Sequence, residues 1–260
     1  MANTDLESQE LKSLSGNGGK KQQPLISVIM PVRNRVEHLE TALLSVLSQK
    51  QGIAELIVID GASTDGTVDI IRKYSDRLAY WLSEADHGIY DAMNKGLKQA
   101  RGKYLYFLGS DDILTVRLDE LESVLCDPST VYYGDYRTEA GPVRNGHYNS
   151  WRLAHWTINH QSVFYPVKAF ENGGYSLKYK ILADYEFNLR CFGNQRLRFR
   201  YIPYEIAFFS GQGLSSQVAD PAFLADRLSL IRQYLPFHAF LYISVRSFIG
   251  RLRRSMIKPA

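Results

Sequence analysis

Three short apolar runs in this chain each end in side chains able to do chemistry. LISVIM (25–30) leads into Pro31, Arg33 and Asn34; ELIVID (55–60) ends in Asp60 and leads into Gly61 and Ser63; KYLYFLG (103–109) leads into Ser110, Asp111 and Asp112. In an open α/β sheet, ligands bind in the crevice beyond the carboxyl ends of the strands, so the three clusters are expected to converge at one sheet edge. The sequence has neither GxxxxGKS nor GxGxxG, so no Gly-rich loop offers its backbone N–H groups to phosphate. Two adjacent carboxylates offer another way to neutralise a diphosphate. Asp111 and Asp112 can hold Mg²⁺ or Mn²⁺, hard cations that combine a few protein oxygens with phosphate oxygens and act as Lewis acids on a departing phosphate.

The elements that would position these residues follow a regular alternation. An amphipathic stretch from Val36 to Leu47 lies between the first two runs, which makes a βαβ unit. A helix opens near Asp65, where Asp65 and Thr67 are suited to capping exposed N–H groups. A strand near 79–83, a helix over 89–100 and the strand 103–109 continue the pattern. Strands this apolar need cover on both faces, so the expected fold class is α/β, a Rossmann-like doubly wound, mostly parallel sheet. Beyond residue 128 the texture changes. TVYYGDYRT (130–138) reads as an exposed strand pair, and an aromatic stretch runs to Asn159. A strand at 162–167, a Gly-Gly turn, a helix near 184–192 and two strands at 196–202 and 204–209 complete a smaller, antiparallel portion. Trp151, His155 and Trp156 suit either stacking on a ligand or the core.

Taken in order, PLISVIMPVRN, LIVIDGASTDGT, SEADHGIYDAMNKGLKQARGKYLYFLGSDD, HQSVFYP, GGYSLKYKILADYEFNLR and FFSGQGLSS resemble a family 2 glycosyltransferase of the GT-A fold, over residues 24–217. The likeness is to the bacterial enzymes of exopolysaccharide, capsule and lipopolysaccharide biosynthesis. It implies that Pro31, Arg33 and Asn34 form the first nucleotide loop and that Asp60 holds base or ribose. Asp86, Asp91, Lys95 and Ser110 would line the nucleotide-sugar pocket. Asp112 would be the principal metal ligand, with Asp111 nearer the ribose and donor sugar, and Asp184 the catalytic base. His160 and Gln161 begin a strand expected to face the cleft on the acceptor side, and Glu186 is the alternative base there. The implied reaction is an inverting, metal-dependent transfer from a nucleotide-diphosphate sugar to a polyprenyl-diphosphate-linked or other saccharide. A positioned carboxylate that accepts the proton of the acceptor hydroxyl contributes roughly 10²–10⁴-fold to such a step. Two departures are visible: Arg33 occupies a position that is often aromatic, and no QxxRW follows Asp184, which favours one sugar per encounter. A sugar-phosphate nucleotidylyltransferase would carry a Gly-rich loop after the first strand, and MPVRNRVEHLE has no glycine. A non-catalytic nucleotide-sugar-binding protein is the other alternative.

Composition sets the outer bounds. The chain has 260 residues, 22% charged and 45% hydrophobic, close to the globular average. Its two cysteines, Cys126 and Cys191, form no metal-binding or disulfide pattern, which suits a reducing compartment. The net charge of +4 is unevenly spread: from Arg227 to Ala260 there are seven basic residues and no acid, while the first 226 residues carry 24 basic against 27 acidic side chains. The body therefore does not read as a nucleic-acid binder. Residues 1–23 read as a disordered leader, 24–128 as a nucleotide-sugar half, 129–217 as an acceptor half and 218–260 as a basic amphipathic helical tail. Leu241, Val245, Phe248, Ile249, Leu252 and Met256 share one helical face, a pattern suited to an anionic membrane surface or to packing against the body. A cytoplasmic protein, peripheral on the inner face of the membrane, is the corresponding expectation.

Overall fold

The computed structural model describes residues 23–211 and 219–256. The expected leader falls outside them except for Gln23, as do residues 212–218, which include residues 212–216 of the late motif.

The first half alternates as expected: β1 (Ile26–Val32), α1 (Leu39–Leu47), β2 (Ala54–Asp60), α2 (Thr67–Lys73), β3 (Tyr80–Ser83), α3 (Ile89–Leu97) and β4 (Tyr104–Phe107). These strands lie parallel in the order β3-β2-β1-β4, with Met30 paired to Val58 and Ile29 to Phe107. Successive side chains on a strand point to opposite faces, and both faces are covered. Val28, Met30, Val58 and Tyr106 pack with Leu39, Leu43 and Val46 of α1, whereas Ile29, Ile57, Ile59 and Phe107 pack with Ala92 and Met93 of α3. Helix α3 approaches closely because Gly96 faces the sheet; a methyl group there would lie 2.5 Å from Ile29 Cγ2. The fold is therefore α/β and doubly wound.

The second half comprises β5 (Ile113–Leu114), β6 (Thr130–Thr138), β7 (Gly141–Val143), α4 (Ser150–His155), β8 (Val163–Pro166), α5 (Ala183–Gly193), β9 (Arg198–Phe208), α6 (Pro221–Tyr234) and α7 (Phe237–Met256). The sheet continues from β4 through β8, β6 and β9 to β5, and β7 pairs with β6. Two expectations are corrected. Residues 130–138 form one strand whose first five residues are buried between β8 and β9, because Val131, Tyr132 and Tyr133 fill both faces. The two strands expected at 196–202 and 204–209 are one. Its pairing with β6 skips from Tyr133–Tyr201 to Asp135–Glu205, and the irregularity holds Pro203, which has no N–H to give the ladder.

Helix α6 opens with Pro221 in its first turn and Asp220 as its cap, accepting from the Phe223 N–H at 3.1 Å. Phe223, Leu230, Ile231, Leu235, Ala239 and Ile243 join the same apolar cluster as α5. Within the described part of the expected tail, the segment from Asp220 onward thus begins as part of the body. Among the described residues no helix is long and apolar enough to cross a membrane.

Candidate active site

A cleft of about 200 Å³ opens at the carboxyl ends of β1 and β4. Pro31, Arg33 and Arg35 form one side, Asp86, Gly88 and Tyr90 another, and Ser110, Asp111 and Asp112 the floor; His160, Gln161, Lys180, Ile181 and Phe209 close it. Eight of the residues singled out from sequence meet here: Pro31, Arg33, Asp86, Ser110, Asp111, Asp112, His160 and Gln161.

The two adjacent aspartates are held differently. Asp112 is 1% exposed; its Oδ2 accepts from Gln161 Nε2 at 2.6 Å and its Oδ1 from the Ser210 N–H at 3.0 Å. Burial raises its carboxyl above the usual range, opposed by the Ser210 N–H, with Asp111 adding to the rise. The turn has room for this carboxylate only because residue 109 is glycine: a methyl group there would collide with Asp112 Oδ2. Asp111 Oδ2, by contrast, is buried without a hydrogen-bond partner among the described residues, 3.7 Å from Arg35 Nε. Each oxygen of Asp112 thus accepts one protein hydrogen bond, whereas Asp111 Oδ2 meets only the Arg35 guanidinium among the described residues. Among the described residues no cluster of three or more His, Cys, Asp or Glu side chains stands ready for a metal. Two carboxylates fit a hard cation that takes its remaining ligands from phosphate and water.

On the opposite wall Asp184 begins α5. Its Oδ1 accepts from the Tyr185 N–H at 2.8 Å and lies 3.0 Å from Tyr90 Oη; its Oδ2 lies 3.3 Å from His160 Nδ1. Asp184 is 7% exposed and reaches the cleft through its neighbours, since His160, Tyr90 and Ile181 line it. Burial, reinforced by Asp184, pushes Tyr90 well above its ordinary value, so it remains a donor. The position of this turn is fixed from behind by Asp220, which accepts the Ile181 and Leu182 N–H groups at 2.9 and 3.1 Å.

Glu186 is elsewhere. Two positions along a helix is a rotation of about 200°, and Glu186 is buried on the far side, with Oε1 3.6 Å from Arg190 Nε and Oε2 without a hydrogen-bond partner among the described residues. The structure therefore does not bring it to the acceptor side of the cleft.

Other acids and amides build the loops around the cleft. Asp60 is fully buried and accepts from Ser63 N (3.0 Å), Ser63 Oγ and Ser83 Oγ (2.6 Å). Asn34 receives the Thr64 N–H on its side chain and gives its own N–H to Ser63 Oγ, which ties the first two loops together. Asp65 receives the N–H groups of Thr67 and Val36. Asp91 closes the turn into α3, accepting the His87 N–H at 3.0 Å; that bond is the largest cause of its lowered pKa. Lys95 pairs with Glu84 at 2.8 Å and with the Ala85 carbonyl, which steadies the segment carrying Asp86. Trp151 and Trp156 do not line the cleft; both are exposed.

Arg35, Tyr90 and Lys180 join the site without having been singled out by sequence. Arg35 stands two residues beyond Arg33 and Tyr90 lies within DHGIYDAMNKG, so both carry a local signal. Lys180 lies within GGYSLKYKILADYEFNLR, but only the tertiary fold brings residue 180 beside β1 and β4.

A parallel sheet bearing an acidic pair beyond the end of its fourth strand, continued by a portion that is mixed and not antiparallel throughout as expected, since β9 runs parallel to β6, is the GT-A architecture. The chain belongs to Glycosyl transferase family 2, whose family model matches residues 27–210, and it is a glycosyltransferase. It is 38% identical over 213 residues to a PGL/p-HBAD biosynthesis glycosyltransferase of Mycobacterium bovis, covering 77% of this chain and 83% of that protein. It is 40% identical over 106 residues to the putative teichuronic acid biosynthesis glycosyltransferase TuaG of Bacillus subtilis, covering 40% and 41% of the two chains. Among solved structures, S. aureus TarS 1-349 in complex with UDP-GlcNAc superposes with a TM-score of 0.64 at 21% identity, over 79% of this chain and 65% of that one, less than two thirds of its length. The mannosyltransferase PcManGT from Pyrobaculum calidifontis in complex with GDP-Man and Mn2+ gives 0.60 at 16% identity, over 94% of this chain and 87% of that one.

Proposed function

We propose that the protein is an inverting, metal-dependent transferase that moves a sugar from a nucleotide-diphosphate donor to a hydroxyl of a lipid-linked or other saccharide in cell-surface polysaccharide biosynthesis. The observation that carries this reading is the opposition of Asp111 and Asp112 on the cleft floor to His160 on its wall, with the Asp184 carboxylate 3.3 Å behind the His160 ring. Residues 24–128 supply the donor side and 129–217 the acceptor side. Arg33 and Asp86 take the nucleoside, and Arg35 and Lys180 contribute positive charge for the phosphates. Asp111, assisted by Asp112, would hold Mg²⁺ or Mn²⁺, and a cation there supplies Lewis-acid stabilisation of the leaving phosphate. Asp184 accepts the acceptor proton as the new bond forms opposite the departing nucleotide, with His160 beside the same carboxylate. One base and a single displacement invert the anomeric centre. The donor class is supported by the UDP-GlcNAc and GDP-Man complexes of the two structural neighbours, and the acceptor class by the PGL/p-HBAD and teichuronic acid biosynthesis assignments of the mycobacterial and Bacillus relatives. Work on a lipid-linked acceptor would place the protein at a membrane surface, on its cytoplasmic side.

The test is nucleotide release from a panel of UDP-, GDP- and dTDP-sugars with a lipid-linked saccharide fraction, with Mn²⁺ or with chelator. Release from one donor, metal-dependent and lost in Asp111→Asn and Asp184→Asn, is the expected result. Release that persists in chelator removes the metal from the reading, and release that persists in Asp184→Asn removes the base.

A further inference from the structure

One side of the molecule combines apolar, aromatic and cationic character, with nothing packed over it among the described residues. On α7, Leu241, Val245 and Ile249 recur every four residues and are 51%, 49% and 45% exposed, with Phe237 one turn earlier at 69%. The opposite face of the helix is accounted for, since Ala239 and Ile243 enter the core. The Trp151 ring of α4 meets His238 and Tyr242 of α7 at centroid distances of 5.1 and 4.9 Å, and Trp156, which follows α4, is also exposed. Arg246 lies on α7 against Tyr242 Oη, and Arg227 of α6 donates to the Ala154 and His155 carbonyls at the end of α4. From Arg227 to Ala260 the sequence holds seven basic residues and no acid.

We propose that this face docks on an anionic lipid bilayer. Helix α7 lies in the headgroup plane with Leu241, Val245 and Ile249 toward the acyl chains, and Trp151 and Trp156 sit at interfacial depth. The claim deepens the membrane part of the reading above by naming the surface, and it rests on that part alone, not on the chemistry of transfer. Charge chooses the occupant. A second copy of this chain would bring the same basic segment against itself, and like charges facing one another repel. An anionic leaflet complements the arginines, each basic side chain near the surface being worth about fivefold in affinity. Indole rings, apolar with one polar N–H, suit the boundary between headgroup and hydrocarbon.

The full-length protein is floated with vesicles of phosphatidylcholine and phosphatidylglycerol in equal parts, and with vesicles of phosphatidylcholine alone. Binding to the first, at least about tenfold weaker to the second and released by high salt, is expected. The double substitution Leu241→Ser and Ile249→Ser should weaken binding by about tenfold or more, and Arg246→Ala by about fivefold. Both variants should retain the parent circular dichroism and nucleotide release in lipid-free assay, which keeps a failure here separate from a failure of the transfer reading. Equal binding to both vesicle types, no binding, or binding unchanged in both variants overturns the proposal. A concentration-dependent dimer broken by the serine pair, with vesicles ignored, also overturns it and gives the face to a second copy.

Discussion

Asp184 and Glu186 stand two residues apart on α5, both buried and both plausible as bases from sequence, and the structure separates them sharply. In Asp184→Asn, the amide oxygen can keep the Tyr185 N–H at 2.8 Å and the Tyr90 hydroxyl at 3.0 Å. The loss of stability should therefore stay near about 1 kcal/mol, that of a charged acceptor made neutral. The other oxygen, 3.3 Å from His160 Nδ1, becomes an amide that cannot take a proton. The expected loss in kcat is about 10²–10⁴-fold, or about 2.7–5.4 kcal/mol of barrier, with donor KM nearly unchanged because Asp184 does not line the cleft. Glu186→Gln should do the reverse. Burial raises the Glu186 carboxyl above 4.5, and Arg190 only partly opposes this. The folded state therefore binds more protons than the unfolded one between the two pKa values, and stability falls as pH rises through that window. Above that window the whole penalty is present, and the neutral isostere removes it. Activity should be kept while Tm rises by about 2–4 °C for each kcal/mol recovered, and the pH dependence of Tm in that window should flatten. Single-turnover nucleotide release at saturating donor, paired with thermal melts across pH, reads both arms. A Glu186→Gln protein that loses activity, or an Asp184→Asn protein that keeps more than about a tenth of it, would refute the assignment.

Three further outcomes follow from the packing around the cleft. Gly109→Ala forces the Asp112 carboxylate out of its seat between Gln161 and Ser210; donor affinity by calorimetry should fall at least about tenfold, with about 1–3 kcal/mol of stability lost. Asp111→Asn should weaken Mn²⁺ binding in the presence of nucleotide more than Asp112→Asn does, read by titration calorimetry, because among the described residues Asp111 Oδ2 accepts no hydrogen bond while both oxygens of Asp112 do. For Asp220, burial alone would raise the carboxyl, but the N–H groups of Ile181, Phe223 and Leu182 bring it below its ordinary value. Its stabilisation is thus present above the unfolded pKa and lost as pH falls through the folded one. Asp220→Asn should cost about 1–3 kcal/mol at neutral pH, flatten the acid limb of the stability curve as read by thermal melts, and lower kcat through the loosened 180–184 turn.

Much of the donor half is legible in the sequence because periodicity decides it. Strands apolar on both faces, such as Ile26–Val32, need cover on both sides, and where they alternate with helices they run parallel, so their carboxyl ends meet at one edge, which is where Arg33, Ser110 and Asp111 are found. The acceptor half is less legible. The run of Val131, Tyr132 and Tyr133 reads as an exposed ribbon, since tyrosine suits both surface and core, and only the cover given by β8 and β9 decides between them. Pro203 reads as a break between strands, whereas the ladder absorbs it in an irregularity. Lys180 reaches the cleft through the turn that Asp220 fixes, a contact across 39 residues that no local pattern encodes, although the segment 173–190 itself is recognisable.

The acids that sequence could not sort are sorted by what already surrounds them. Asp60 sits at a strand end where a nucleotide contact is expected, yet Ser63 and Ser83 occupy its oxygens, and those bonds hold a loop in which Ala62 has φ 58°. Asn34, at φ 51° in the facing loop, is joined to the same Ser63. Left-handed backbone at a non-glycine residue costs about 1–3 kcal/mol and persists only where neighbours enforce it. Here the enforcing groups are the conspicuous polar residues themselves. The chain places buried acceptors behind the cleft to fix the shape of its rim, whereas in the floor Asp111 Oδ2 has no hydrogen-bond partner among the described residues and meets only the Arg35 guanidinium at 3.7 Å.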